Sequence, residues 1–394
     1  SIGGFTFVVF KTYKMNDMKG KQGLVCMGLL LVLSSCHTGK QITASGLQRK
    51  DFQTEVNGQH TDLFTLSNKQ GMEVCITNYG ARVVSILVPD RNGKREDVVC
   101  GFSTITEYME QRQNFGSTVG RYIGRILNAR FTLDGVEYKL VPNNGKSGHI
   151  SHGGNPGFAD RIWKVEQADT HRVRLSYLSP DGENGFPGNL KVTLVYSLGE
   201  DDNALDLTYE ATTDAPTVLN LSHHSFFNIS GNFTKSVEDQ QLWVDADRFT
   251  PYDDKKCVTG EYLPVAGTPL DFRMPHTIGE CIDADHPQLK VVNGYDHTWE
   301  LNTKGDDTRP AAWVYDPASG CKMEIFTTEP GMQIYTGNGL KGKMTGKGGI
   351  AYPFRSAVCF ETMHFQDSPN QPGFPSTVLR PGEVFRSHTV YKFE

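Results

Sequence analysis

The sequence predicts an all-β protein, built as one large antiparallel β-sandwich, and two observations support this. Short runs of alternating apolar and polar residues follow one another from about residue 51 to the C-terminus. Such alternation buries one face of a strand and leaves the other in water, as in antiparallel sheets. Glycine is also abundant, with 41 of 394 residues, as frequent tight turns require. No internal repeat or low-complexity linker interrupts the body, so we expect one folded domain over residues 51–394.

Individual strands are predicted where the alternation is clearest. These runs are residues 83–88, 131–133, 136–140, 172–177, 190–196, 205–210 and 322–328. Asp134 and Gly135 separate two of them, and an Asp-Gly pair is a strong hairpin signal because glycine tolerates positive φ. A helical pattern is nearly absent, and the best short candidate spans residues 104–112.

The N-terminal region has the pattern of an export signal. Residues 18–21 form a short basic segment, and the apolar segment 23–33 is too short to span a bilayer, which needs about 20 apolar residues. The sequence Leu-Ser-Ser-Cys at 33–36 resembles the lipobox of bacterial lipoproteins, which implies cleavage before Cys36, lipid on its thiol and a lipid-anchored location in the cell envelope. An ordinary secretory signal is the alternative. Residues 1–14 are interpreted as an upstream extension, and the polar stretch 37–50 as a tether.

The net charge bears on the class of partner, and the positions of the cysteines bear on the state of their thiols. The formal net charge is -6 and no run of lysine or arginine occurs, which argues against nucleic acid as a partner. Six cysteines lie beyond residue 36, widely spread and without metal-site spacing. Several fall in apolar strand-like runs, so most are predicted to be buried thiols, although their pairing cannot be deduced from the sequence.

Glu361 is the most informative candidate for chemistry, because it lies in the apolar run 358–362. Burying an ionised carboxylate is costly unless it is paired or hydrogen-bonded. The residue is therefore either a structural hydrogen-bond anchor or a proton-transfer group. Polar, turn-like segments at 148–154, 220–228 and 293–297 supply histidines. One acid with histidines is the minimum set for general acid–base chemistry near neutral pH.

The histidines allow two further hypotheses. His149 and His152 could ligate a metal with His223, His224 or Asp296, although the short ligand spacing of known sites is absent. In a strand, His223 and His224 would face opposite sides, so one of them at most enters a given cleft.

Two arginines lie in the segment 120–125, namely Arg121 and Arg125. Each is either paired within the fold or, as a forked donor, available to bind vicinal hydroxyls or a carboxylate.

Together the segments resemble the galactose mutarotase (aldose 1-epimerase) family, from about residue 60 to the C-terminus. The matching motifs lie at residues 120–126, 151–154, 179–188, 224–228, 293–297, 330–338, 361–362 and 379–383. The resemblance implies a large β-supersandwich and interconversion of the anomers of a free aldose, such as glucose or galactose, without a cofactor or metal.

By the same resemblance, Glu361 is the general base for the anomeric O1 proton and His224 the general acid for the ring oxygen. A neighbouring carboxylate such as Asp296 is expected to keep His224 cationic. Four matched positions would bind the sugar: Arg125, His152, Asp296 and Gln333.

The chain departs from the family pattern at Gly124 and His223, where asparagine is usual, so a broader or shifted sugar preference is expected. A non-catalytic carbohydrate-binding sandwich is the main alternative function, since fold alone does not exclude it. A hydrolase using two carboxylates would leave the histidine without a role. A phosphosugar epimerase would need a basic phosphate-binding cluster.

Overall fold

A computed structural model describes residues 41–394. The upstream extension, the export signal and the proposed lipid site at Cys36 lie outside the described residues. Within residues 41–394, no helix combines the length and the apolar character needed to cross a bilayer.

The largest sheet has nine antiparallel strands, and we call it the large sheet. From one edge to the other, its strands are Lys164–Ala168, Arg172–Ser179, Leu190–Leu198, Ala204–Thr213, Phe385–Phe393, Lys322–Thr327, Ala312–Tyr315, Gln241–Val244 and His276–Thr277. The C-terminal strand lies at the centre, so the end of the chain completes the middle of this sheet.

A second sheet of six strands carries most of the candidate site, and we call it the site sheet. Its strands, in spatial order, are Phe226–Phe227, Val358–Met363, Gly331–Tyr335, Asp296–Glu300, Arg248–Thr250 and Leu263–Pro264. A four-stranded sheet near the N-terminus consists of Leu63–Ser67, Glu73–Thr77, Arg82–Pro89 and Arg95–Asp97. All of these strand pairs are antiparallel.

Short pairs of strands and helical turns complete the described chain. The two-stranded pairs are Glu55–Val56 with Gln59–His60, Ser117–Val119 with Ser222–His224, Arg125–Ile126 with Ile150–Ser151, Arg130–Leu133 with Val136–Lys139, and Thr217–Val218 with Val378–Leu379. The α-helices are Ile105–Gln111 and Pro287–Val292. The 3-10 turns are Arg49–Phe52, Leu127–Ala129, Gly145–Ser147, Phe158–Asp160, Glu183–Gly185, Lys347–Gly349 and Ser368–Asn370.

The predicted all-β antiparallel architecture is confirmed. In the strand Leu190–Leu198, every second side chain is buried and the residues between them are partly or fully exposed. The buried faces of the three sheets join in one core, to which Leu194, Trp299 and Ile86 each contribute from a different sheet. This shared core holds the site sheet rigidly against the large sheet.

Local signals in the sequence also predicted one hairpin turn and one short helix correctly. Asp134 and Gly135 both have positive φ and close the hairpin, as expected for a tight two-residue loop. Thr104 caps the helix Ile105–Gln111 in a capping box with Glu107. The short helix Pro287–Val292 was not predicted, because six residues carry too little periodicity to be recognised.

The predicted tether is wrong over residues 41–50. Leu47 and Phe52 are buried in the core, and the Ala44 amide donates a hydrogen bond to Glu73. Arg49 forms an ion pair with Asp62. The folded body therefore begins before residue 51, because Leu47 and the polar contacts of Ala44 and Arg49 anchor this stretch.

Candidate active site

Glu361 lies in the middle of the strand Val358–Met363, directly opposite Gln333 on the neighbouring strand. His224 ends the short strand Ser222–His224 and approaches from the other side, with its Nε2 3.5 Å from Glu361 Oε1. Both side chains are buried, at 6% and 4% exposure. The structure thus brings the predicted acid and base together in a site largely shielded from water.

The neighbouring histidines face opposite sides, as predicted. His223 is buried in the core, where its Nε2 lies 2.7 Å from Ser225 Oγ and its ring is near Tyr196. His224 instead faces the cavity and stacks in parallel on Phe226, with ring centroids 5.0 Å apart. The substitution of His223 for an expected asparagine therefore does not alter the wall of the cavity.

The pair opens into a cavity of about 240 Å³, just below the usual range of small-molecule sites, ~300–1,000 Å³. Its lining residues are Gln113, Asn114, Gly124, Arg125, Ser151, His152, His224, Phe226, Asp296, Gln333, Tyr335, Glu361, Met363 and Gln366. All six predicted catalytic and sugar-binding residues are in this set. The size and the polar lining suit a single small polar molecule.

Asp296 and Gln333 form the polar floor of the cavity. Gln333 Nε2 donates to Asp296 Oδ1 at 2.6 Å, and Gln333 Oε1 accepts from the Thr298 hydroxyl at 2.5 Å. These bonds fix the orientation of the amide. The backbone register of the two strands that carry Asp296 and Gln333 holds the floor in place.

Burial changes the pKa values of Glu361 and His224. It raises the pKa of Glu361 well above its usual value, and the nearby Asp296 carboxylate adds to this. Burial also lowers the pKa of His224 well below its usual value, assisted by His152. The expectation that Asp296 keeps His224 cationic is wrong, because the charge of Asp296 acts on Glu361. Both effects favour a neutral pair.

The family model of aldose 1-epimerases matches residues 62–392. Galactose mutarotase of Sus scrofa is 38% identical over 330 residues, covering 84% of this chain and 93% of that protein. Aldose 1-epimerase of Escherichia coli K12 is 36% identical over 339 residues, covering 86% and 96%. The chain belongs to the aldose 1-epimerase family.

Solved structures agree with this assignment. A GalM/aldose epimerase homologue from Caenorhabditis elegans superposes with a TM-score of 0.78 at 31% identity, covering 85% of this chain and 99% of that one. Galactose 1-epimerase from Lactobacillus acidophilus gives 0.75 at 28% identity, covering 86% and 96%. These names give no support to the alternative of a non-catalytic carbohydrate-binding protein.

The two arginines of the family motif have different roles. Arg121 is buried, and its guanidinium donates to the carbonyls of Pro187 and Gly188 and to Ser179. It therefore ties loops together and does not line the cavity. Arg125 does line it, with its guanidinium 6.0 Å from the ring centre of Tyr252.

The suggested pairing of His149 with His152 at a metal does not occur. His149 Nδ1 accepts from the Asn128 amide at 2.9 Å, and its Nε2 lies 3.3 Å from Cys257 Sγ. His152 instead packs edge-to-face on His224 inside the cavity. Among residues 41–394, the groups close enough to share a metal ion are His224, Cys359 and Glu361, with ligand atoms within 4.8 Å of one another. Two of these form the proposed acid–base pair.

Burial and Arg125 together lower the pKa of His152 to about 4, so His152 is neutral at physiological pH. Its Nδ1 and that of His224 are buried and have no hydrogen-bond partner within residues 41–394. A buried polar atom without a partner is costly, so these two nitrogens carry a desolvation cost.

Sequence reasoning missed several residues of the cavity. Tyr335 and Phe226 lie inside the matched motifs and could have been found from them. Gln366, which follows the strand of Glu361, and Tyr252, which bonds to it, lie outside the matched motifs and gave no signal. Only the folded chain brings them to the cavity.

Proposed function

We propose that this protein interconverts the α and β anomers of a free aldose, such as glucose or galactose, with Glu361 and His224 as the base and acid. The observation that carries the proposal is the 3.5 Å approach of His224 Nε2 to Glu361 Oε1 at the wall of a small polar cavity. Anomer exchange requires proton transfer at two oxygens of the sugar, and a buried acid–base pair supplies both transfers.

In the proposed reaction, the Glu361 carboxylate removes the proton from O1 of the bound sugar. The O1–H electrons form the C1=O1 carbonyl while the bond between C1 and the ring oxygen breaks. The ring oxygen takes a proton from His224 Nε2, which gives the open-chain aldehyde. Rotation about C1–C2 and the reverse transfers close the ring with the other configuration. No group is transferred to the protein and no electron is exchanged with an outside donor.

The pair needs one proton in total, and its location changes during the cycle. Before ring opening the proton is on His224, and in the open-chain state it is on Glu361. Burial favours the second arrangement, because it raises the pKa of Glu361 and lowers that of His224. Ring opening from the cyclic sugar therefore starts with the proton on His224, the partner that burial disfavours.

Four side chains are proposed to bind the hydroxyls and the ring oxygen of the sugar. Asp296 and Gln333 offer an acceptor and a fixed amide on the floor of the cavity. Arg125 offers forked donors and His152 a neutral ring, and both line the same cavity. Hydrogen bonds from these four groups are proposed to orient the ring so that O1 faces Glu361.

Polarimetry of freshly dissolved α-glucose and α-galactose with purified protein tests the function. We expect optical rotation to reach its equilibrium value faster in proportion to protein concentration. A protein that binds these sugars in calorimetry but leaves the rate of rotation unchanged would be a carbohydrate-binding sandwich. In that case the acid–base assignment would be wrong.

We also propose that the mature protein is held in the cell envelope by lipid on Cys36, with residues 51–394 and the packed segment before them as the catalytic body. The sequence Leu-Ser-Ser-Cys at 33–36, directly after an apolar segment, supports this. In a bacterial host the full chain should fractionate with membranes, and Cys36→Ala should release or mislocalise it. Cys26→Ala, inside the apolar segment, is the control and should remain with membranes. Equal solubility of wild type and Cys36→Ala would contradict the anchor.

A further inference from the structure

The wall of the cavity contains a tight contact between Gly124 and Gln366. Gly124 has φ +76°, and a Cβ placed on it would lie 2.6 Å from Cγ of Gln366 and 3.1 Å from its Cδ. Real Cβ atoms do not approach so closely. The glutamine side chain therefore occupies the space that any side chain at position 124 would need.

The amide of Gln366 is built into the sugar-binding side of the cavity. Its Nε2 donates to the Tyr252 hydroxyl at 2.7 Å and to Gln333 Oε1 at 3.3 Å. Its Oε1 accepts one long bond, 3.3 Å, from the backbone amide of Arg125. The residue is 4% exposed and lines the cavity. Three neighbours thus fix the amide in one orientation.

The Gln366 amide has an unused hydrogen-bond acceptor. Both Nε2 hydrogens are engaged, whereas a carbonyl oxygen accepts two bonds and Oε1 has one weak partner. The remaining lone pair makes Gln366 an acceptor for a hydroxyl in the cavity. Gln366 also bonds directly to Gln333, and its link to Arg125 runs through the backbone, so it belongs with the groups that hold the ring.

We propose that Gln366 is a sugar-contacting residue that determines which aldoses the site prefers, and that Gly124 is small in order to admit it. This inference rests on the proposed function of the cavity. Because Gln366 bonds to sugar-holding groups and makes no hydrogen bond to Glu361 or His224, its loss weakens binding while proton transfer continues. A hydrogen bond present in both ground and transition states changes KM more than kcat.

The first test removes the amide and keeps the length of the side chain, with Gln366→Met. KM and kcat are measured by polarimetry for glucose, galactose, xylose and arabinose, and Kd by calorimetry for the same sugars. We expect KM and Kd for the best sugar to rise by roughly 3–10-fold, as the loss of one hydrogen bond predicts. The kcat should stay within about twofold, and the preference among the four sugars should shrink. Gln371→Ala is the control, since its amide bonds to Asp367 and does not line the cavity.

The second test concerns the space between the two residues. Asparagine tolerates positive φ better than most residues, so Gly124→Asn should suffer mainly from the clash with Gln366. We expect Gly124→Asn alone to lower thermal stability, and Gly124→Asn with Gln366→Ala to recover most of that loss of stability, while its KM stays raised because the amide is gone. Recovery in the double variant is the signature of two residues competing for one volume.

Failure of the proposed function and failure of the role proposed for Gln366 would give different experimental results. If the wild type binds sugar but does not catalyse mutarotation, the function fails, whereas the calorimetric preference still tests Gln366. If Gln366→Met changes KM or Kd of all four sugars by the same factor, or of none, the residue only supports its neighbours and the inference is wrong. A double variant no better than Gly124→Asn would overturn the claim about space.

Discussion

Two histidine–glutamate pairs with buried carboxylates contrast in this protein: His224 is buried with its partner, whereas the side chain of His364 is 24% exposed. In the cavity, His224 Nε2 and Glu361 Oε1 are 3.5 Å apart. Beyond the end of the same strand, His364 Nδ1 lies 2.7 Å from Glu329 Oε2, which is the distance of a direct hydrogen bond. Glu329 is 2% exposed and Glu361 4%, so burial of the carboxylates does not distinguish them.

The separation of the groups decides the protonation of each pair. Burial lowers the pKa of His364, but the hydrogen bond and charge of Glu329 outweigh it and raise the pKa overall. In the cavity pair, burial dominates, lowering the pKa of His224 and raising that of Glu361. A direct ionic hydrogen bond holds its proton on one partner and serves structure. A pair held slightly apart keeps its proton available to a substrate placed between them.

The largest expected effect is a difference in mutarotation rate between variants of Glu361 and of Glu329. Glu361→Gln keeps the shape of the side chain but removes its basicity, so the catalysed mutarotation rate should fall by roughly 10²-fold or more. Glu329→Gln removes the same charge outside the cavity and should keep the rate within a few-fold. Polarimetry under excess sugar measures both. Full activity of Glu361→Gln would show that the base lies elsewhere, and sugar affinity of that variant should persist in calorimetry.

A similar loss is expected at the other half of the cavity pair. His224→Asn removes the acid for the ring oxygen and should lower the rate about as much as Glu361→Gln does. The double variant should fall little further, because groups that act as one unit are not additive. His364→Asn is the matched control and should remain active. Additive losses from the two cavity substitutions would mean that Glu361 and His224 act in separate steps.

The pair of Glu329 and His364 should contribute to the free energy of unfolding. Glu329→Gln weakens a buried charge-assisted hydrogen bond and should lower the free energy of unfolding by about 1–3 kcal/mol. Urea denaturation followed by tryptophan fluorescence measures this loss. Glu361→Gln should destabilise less or even stabilise, since a neutral amide is buried without the proton uptake that the raised pKa of Glu361 requires. The opposite ranking would mean that the cavity pair is the structural one.

The smallest expected effect is a pH dependence from an ionic histidine outside the cavity. Asp206 and Asp307 flank the ring of His388 and raise its pKa to about 9. Because this exceeds the usual value of about 6.5, the stabilisation is fully present below about pH 6.5 and is lost as the pH rises through 9. The difference in unfolding free energy between wild type and His388→Gln should therefore shrink between about pH 6 and pH 10. A difference that grows over this range would contradict the ion pairing.

Local patterns in the sequence were sufficient to predict the strands and to single out Glu361 and His224, which the structure brings together. Alternation located the strand Leu190–Leu198 to within two residues, because burial of one face imposes a period of two on any antiparallel strand. Glu361 was notable as a carboxylate in an apolar run, and His224 lay in a family motif. Both signals are properties of neighbours along the chain, so they survive without knowledge of the fold.

Contacts between distant segments were decided by the tertiary structure. The pairing of Gly124 with Gln366 joins two loops, and neither residue carries a local pattern that points to the other. Leu47 and Phe52 lie in a stretch too polar to predict burial, yet they pack in the core. The protonation of Glu361 was also decided by the tertiary structure, since its desolvation depends on every group that excludes water from it. A chain segment encodes its own periodicity, whereas the distances and dielectric surroundings of a site arise only when separate segments pack together.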